Sequence, residues 1–128
     1  MSPLTWLLVS VAGGLGAGSR FMLDGALTTA LRPSVPVGTV VVNLIGSLLL
    51  GVVVGVGAGG SGGGSGWSPE LTTVAGTGFL GGFTTFSTAS VDIVRMLSAR
   101  RPVTGAVVCL GMLVGGVAAA WCGWELAR

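Results

Sequence analysis

Lysine, histidine and tyrosine are absent from this chain, and charge of either sign is scarce: six arginines and four carboxylates in 128 residues. Without histidine the chain lacks the commonest metal ligand and the usual general base. Without lysine it has no P-loop. The two cysteines, Cys109 and Cys122, form no CxxC pair and lie in one apolar stretch. They read as small hydrophobes rather than zinc ligands. No nucleophile–base pair, metal cluster or paired carboxylates stands out, which argues against an enzyme. The net charge of +2, with no basic cluster among aromatics, gives no argument for nucleic acid.

Charged residues make up 8% of the chain against 51% hydrophobic ones, where a soluble domain carries about 25% charged. A soluble fold would expose large apolar patches to water; lipid removes that conflict. Uncharged runs cover 1–19, 33–69, 71–91 and 102–124. A helix needs roughly 20 apolar residues to cross a hydrocarbon core about 30 Å thick. The runs predict an all-α, polytopic membrane protein, a single domain over 1–128, with helices at about 4–24, 37–58, 71–97 and 103–124. The first stretch lacks the basic segment that opens a signal peptide, so it reads as a retained helix. Residues 59–66, Gly and Ser throughout, read as a flexible linker. Pro69 and Pro102 suit the first turns of the third and fourth spans.

Arg20, Arg32, Arg95, Arg100 and Arg101 lie in or beside the first and third loops, whereas the opposite side holds only Arg128 and the amino terminus. The positive-inside rule puts the arginine-bearing loops in the cytoplasm and both termini outside the inner (plasma) membrane. Gly51, Gly55 and Gly59 are spaced by four, as are Gly111 and Gly115. Such spacing lets helix backbones approach closely, within one subunit or between two. Four short helices alone make a thin bundle, so an oligomer is expected.

The third span contains Gly78-Phe79-Leu80-Gly81-Gly82-Phe83-Thr84-Thr85-Phe86-Ser87-Thr88. Adjacent glycines cost about 1 kcal/mol each against alanine in a helix, and a cluster of hydroxyl residues follows. The span is therefore expected to break near its middle. Such a break persists in a membrane only when buried in protein or lining a polar cavity. Its free carbonyls can hold a cation, and a half-helix N-terminus can face an anion. In the second span Asn43 is either one interhelical hydrogen-bond partner or a pore-lining donor.

Three signatures occur in order: Gly13-Gly14-Leu15-Gly16-Ala17 with Arg20-Phe21; Gly38-Thr39 with Val42-Asn43 and Gly46-Ser47; and Gly78-Phe79 through Thr88. Together they resemble the Fluc fluoride channels, also called CrcB, across all four spans. The resemblance implies a small four-helix subunit, an antiparallel dimer with two narrow fluoride pores, and a structural sodium ion at the dimer interface. It assigns the sodium-holding backbone carbonyls to Gly81 and Thr84. It assigns the pore lining to Asn43, Phe86, Ser87 and Thr88, and the arginine of the first helix to Arg20, expected near the vestibule. Neutral donors and aromatic ring edges suit a small, strongly hydrated anion that must be released again.

The chain departs from that pattern twice. Ala89 stands where the family usually has a second pore phenylalanine. Val108, Met112 and Gly116 stand where its fourth helix usually carries a tyrosine and serines. Either one pore has weakened by drift, or the chain pairs with a different subunit that keeps those groups. The second is favoured, because five arginines against one predict a single insertion direction, while a homodimer of opposed subunits needs balanced loops. Two rival readings remain. A proton-coupled small multidrug exporter needs a carboxylate inside the membrane, but Asp24, Glu70, Asp92 and Glu125 all fall at span ends. A non-conducting structural subunit would fit the lost phenylalanine and the apolar fourth helix.

Overall fold

The computed structural model describes residues 1–59 and 66–128. Most of the Gly/Ser stretch at 59–66, residues 60–65, lies outside them. Among the described residues the chain is helical, with no strand.

Helix α1, Pro3–Leu31, opens with Ser2 accepting the Thr5 N–H at 3.1 Å and with proline in its first turn. It closes where Arg32 turns left-handed at φ 42°, its N–H on the Thr28 carbonyl, and Pro33 prevents continuation. The charge pattern alone ends this span near residue 24. The helix runs seven residues further because a single aspartate at the membrane edge does not interrupt a hydrogen-bond ladder. At 29 residues it is roughly 43 Å long, more than a hydrocarbon core requires.

Helix α2, Val37–Gly57, follows Pro36. The third crossing is composite. A short α3, Pro69–Thr73, is capped by the Ser68 hydroxyl and passes into a π-helical segment, Val74–Leu80, where the Gly81 N–H reaches back to the Gly76 carbonyl. A single turn, α4, Gly81–Phe83, precedes the break, and α5, Ser87–Ser98, resumes after it. Helix α6, Pro102–Ala127, completes the bundle. Helices α1, α2 and α6 are each long and apolar enough to cross a membrane; the remaining span is the broken one.

Two glycine seams hold these pieces together. Helix α2 lies on α6 so closely that a Cβ on Gly51 would strike the Ala120 carbonyl, and one on Gly123 the Leu48 carbonyl. Gly55 would meet Ala127 and the Trp124 carbonyl at about 2.9–3.0 Å. The four-residue glycine spacing in α2 thus serves packing within the subunit. The other seam joins α1 to the third span: a Cβ on Gly16 would collide with the Phe79 carbonyl, and one on Gly82 with the Gly13 carbonyl. The Arg101 guanidinium donates to the Ser34 carbonyl at 2.6 Å, so the two arginine-bearing loops lie on one side of the bundle.

The side chains are distributed as lipid demands. The buried apolar set is small (Val42, Val53, Leu80, Phe83, Ala89 and Met96), while large apolar residues along α1 and α6 face outward. Such an exterior suits hydrocarbon, not water.

Candidate permeation site at the helix break

The first half of the second span carries Gly38, Thr39, Val42, Asn43 and Gly46 on one face, turned to α1 and the third span. A Cβ on Gly38 would collide with the Asp24 carboxylate of α1. Thr39, 3% exposed, donates to Asp92 Oδ2 at 2.8 Å. Val42 is fully buried. Asn43 meets the break, and Gly46 leaves room for the Thr84 methyl and the Phe83 ring. Spacings of three and four place all of these on one stripe of a helix.

At the break, regular bonding ends with the Thr84 N–H on the Leu80 carbonyl at 2.9 Å and resumes with the Ser90 N–H on the Phe86 carbonyl at 2.9 Å. Between them Thr84 is extended, φ −78°, ψ 159°. The Thr85 N–H donates to Asn43 Oδ1 at 2.8 Å, and Asn43 Nδ2 donates to the Thr85 carbonyl at 2.9 Å. The Thr85 hydroxyl accepts the Thr88 N–H at 3.2 Å, covering one of the orphan donors at the start of α5. One amide side chain and one hydroxyl thus satisfy much of the interrupted backbone, which hydrocarbon would otherwise penalise heavily.

Two cavities border the break. One, about 530 Å³, is a groove between α2, the break and α6, lined by Asn43, Ser47, Thr84, Phe86, Ala89 and Met112 among others. The other, about 390 Å³, opens toward the first loop and is lined by Asp24, Thr28, Thr39, Thr88, Asp92 and Arg95 among others. Asn43 and Phe86 share the groove, while Thr88 lines the second cavity. Ser87 is exposed and lines neither. Thr85 lines the groove, and its hydroxyl lies 3.2 Å from Thr88 Oγ1 of the second cavity and 3.4 Å from the exposed Ser87 Oγ. Phe86 is 87% exposed, so one face of its ring has no cover within the subunit.

Arg20 reaches across from α1, its Nη1 3.5 Å from Thr88 Oγ1, and its Nε is buried without a hydrogen-bond partner. Asp92 also lies 3.7 Å from Arg95. No backbone N–H at the break reaches the Gly81 or Thr84 carbonyl, and Gly81 is exposed. Two such oxygens could serve a hard cation, which prefers oxygen ligands, but two are too few to enclose one. Among the described residues no cluster of three acidic or cysteine side chains forms a metal site.

Thr85 has no role in the sequence reading, although it is the hub of the break. Its signal was legible: a hydroxyl three residues ahead of Thr88 is an N-cap pattern. Ala89 is 7% exposed beside Phe86, and the α6 wall of the groove presents Cys109, Met112 and Leu113. The groove is therefore apolar on its α6 side.

Residues 7–124 match the family described as CrcB-like protein, Camphor Resistance (CrcB). The chain is 45% identical to a fluoride-specific ion channel, FluC 2, of Cutibacterium acnes, over 96% of this chain and 97% of that one. It is 42% identical to the fluoride-specific ion channel FluC 1 of Leifsonia xyli subsp. xyli, over 96% and 86%. Against the fluoride-specific ion channel FluC of Gloeobacter violaceus identity is 38%, over 95% and 94%. With the family signature covering all four spans and relatives matching nearly end to end, the chain belongs to the CrcB-like family.

Proposed function

We propose that this chain is a subunit of a fluoride-specific ion channel, through which fluoride leaves the cytoplasm down its electrochemical gradient. The observation that carries the reading is the near full-length likeness to relatives named as fluoride-specific channels. The break supports it with what a small anion needs inside a membrane: neutral N–H and O–H donors from Asn43, Ser87 and Thr88, and an aromatic edge from Phe86. The fixed charge of Arg20 lies 3.5 Å from Thr88 Oγ1, beside these neutral donors, where it attracts an anion.

The working assembly is an antiparallel dimer in the inner membrane, with both termini outside. The exposed Phe86 ring and the free carbonyls of Gly81 and Thr84 support it, because a second subunit would cover the first and double the second. A sodium ion at that interface, held by Gly81 and Thr84 carbonyls of both subunits, would offset the cost of a polar centre in lipid. The arginine bias and the apolar α6 wall favour a homologous partner of opposite bias over a second copy.

The test is fluoride efflux from liposomes, with the chain alone and with a homologous partner. Efflux only with the partner supports the heterodimer; robust efflux from the chain alone defeats it. A folded assembly that passes no fluoride under either condition defeats the channel reading. The apolar α6 wall favours one second reading, a non-conducting structural subunit. Phe86→Ala in the assembled complex separates the two: a pore-lining ring predicts at least a tenfold loss of efflux, a structural subunit no change.

A further inference from the structure

We propose that Asn43 is a positioning residue for the break: its carboxamide takes the Thr85 N–H away from the Gly81 carbonyl, and so keeps that carbonyl free. In an uninterrupted α-helix each N–H bonds the carbonyl four residues back, which for Thr85 is Gly81. Here that N–H goes instead to Asn43 Oδ1 at 2.8 Å. The same side chain returns a donor to the Thr85 carbonyl at 2.9 Å. The pair is a two-point clamp between α2 and the third span, and it satisfies both backbone groups of one residue. Gly46, one turn further along α2, leaves the space in which Thr84 swings out of the helix. The glycines of the third span do not make the break: Gly81 and Gly82 are helical, and Gly82 is spent on contact with Gly13. The clamp does. An Asn Nδ2 carries two hydrogens, and Thr85 takes one, so a pore-lining role in the groove remains open to the other.

The inference uses the sodium reading in one arm of its test only. The variants are Asn43→Leu, similar in volume without hydrogen bonds, and Asn43→Leu combined with Thr85→Pro. Proline has no N–H to return to Gly81, and Thr84 already holds the extended conformation required of a residue before proline. The first readout is the carbonyl ¹³C shift of Gly81 by solid-state NMR in bilayers. The second is the rise in unfolding temperature on replacing choline with sodium.

In Asn43→Leu the Gly81 signal is expected to move to the hydrogen-bonded helical position, and the sodium-dependent rise to vanish. In the double variant both are expected to return toward wild type, while fluoride efflux stays at least tenfold down because the carboxamide donor is still missing. An unchanged Gly81 signal in Asn43→Leu overturns the proposal, as does a double variant that fails to restore it. If the wild type itself shows no sodium effect, the sodium reading fails, and the carbonyl signal still decides the role of Asn43. Should Asn43→Leu not fold, Asn43→Asp decides: an oxygen remains for the Thr85 N–H, so Gly81 is expected to stay at its wild-type position, and a shift to the bonded position overturns the clamp.

Discussion

The two glycine seams use one device to different ends. Between α2 and α6, Gly51 and Gly123 bring backbone against backbone along two regular helices, with Gly55 near the end of the contact. Between α1 and the third span, Gly16 and Gly82 do the same, yet that span widens into a π turn and then breaks. Close glycine packing therefore does not itself interrupt a helix. What separates the two regions is polar chemistry: α2 offers α6 no carboxamide, but it offers the third span Asn43, whose two hydrogen bonds replace a missing turn.

The largest expected effect tests whether the seams are equivalent as packing. Gly82→Ala and Gly123→Ala each drive a Cβ into a backbone carbonyl, of Gly13 and Leu48 respectively. Neither carbonyl can rotate away as a flexible side chain could, so each substitution should cost about 3 kcal/mol, the upper part of the range for overpacking. Unfolding in detergent micelles, followed by tryptophan fluorescence, measures both. Fluoride efflux per folded subunit should then part them: nearly kept in Gly123→Ala, lost in Gly82→Ala, which lies three residues from Thr85. Equal losses would mean that the α2–α6 seam also sets the geometry of the break.

A smaller effect is expected at the other polar contact of α2. Thr39→Val keeps the shape of a buried side chain and removes its hydrogen bond to Asp92. Asp92 keeps only Arg95, at 3.7 Å. The loss should be about 2 kcal/mol, as for a hydrogen bond to a charged group, read by the same unfolding measurement, with the break itself undisturbed.

These contrasts show what could be read from residues alone. The four crossings follow from uncharged runs, because lipid imposes a length on every span. That the third span is irregular is signalled by Gly-Gly beside a hydroxyl cluster, although the glycines themselves stay helical. The position of the break is not: it falls at Thr84–Phe86, just past the glycines, because Asn43 lies 42 residues before Thr85 and only the fold brings them together. The π turn at Val74–Leu80 has no signature in periodicity, and the charge pattern stops α1 too early because a helix ends at its backbone, here Arg32 and Pro33, and not at its first charge. Asn43, open to two readings in sequence, gains a definite hydrogen-bonding role only from the backbone of Thr85.

The smallest expected effect is the most discriminating about what lies outside the subunit. Gly111 and Gly115 are four residues apart on α6, yet only Gly115 is in a seam, where a Cβ would meet Leu44 at 2.9 Å; around Gly111 nothing lies within 4 Å. In α1, Gly14 and Gly18 are equally open. Alanine in a helix interior is favoured over glycine by up to ~1 kcal/mol, so Gly111→Ala and Gly14→Ala should leave the subunit as stable or slightly more so. If either glycine is kept small for a second subunit, the cost appears only in association. Dimer dissociation followed by dilution in lipid would then set in at a higher protein-to-lipid ratio for the variant than for the wild type. Unchanged association would leave those faces to lipid, and the exposed ring of Phe86 as the surface a partner must cover.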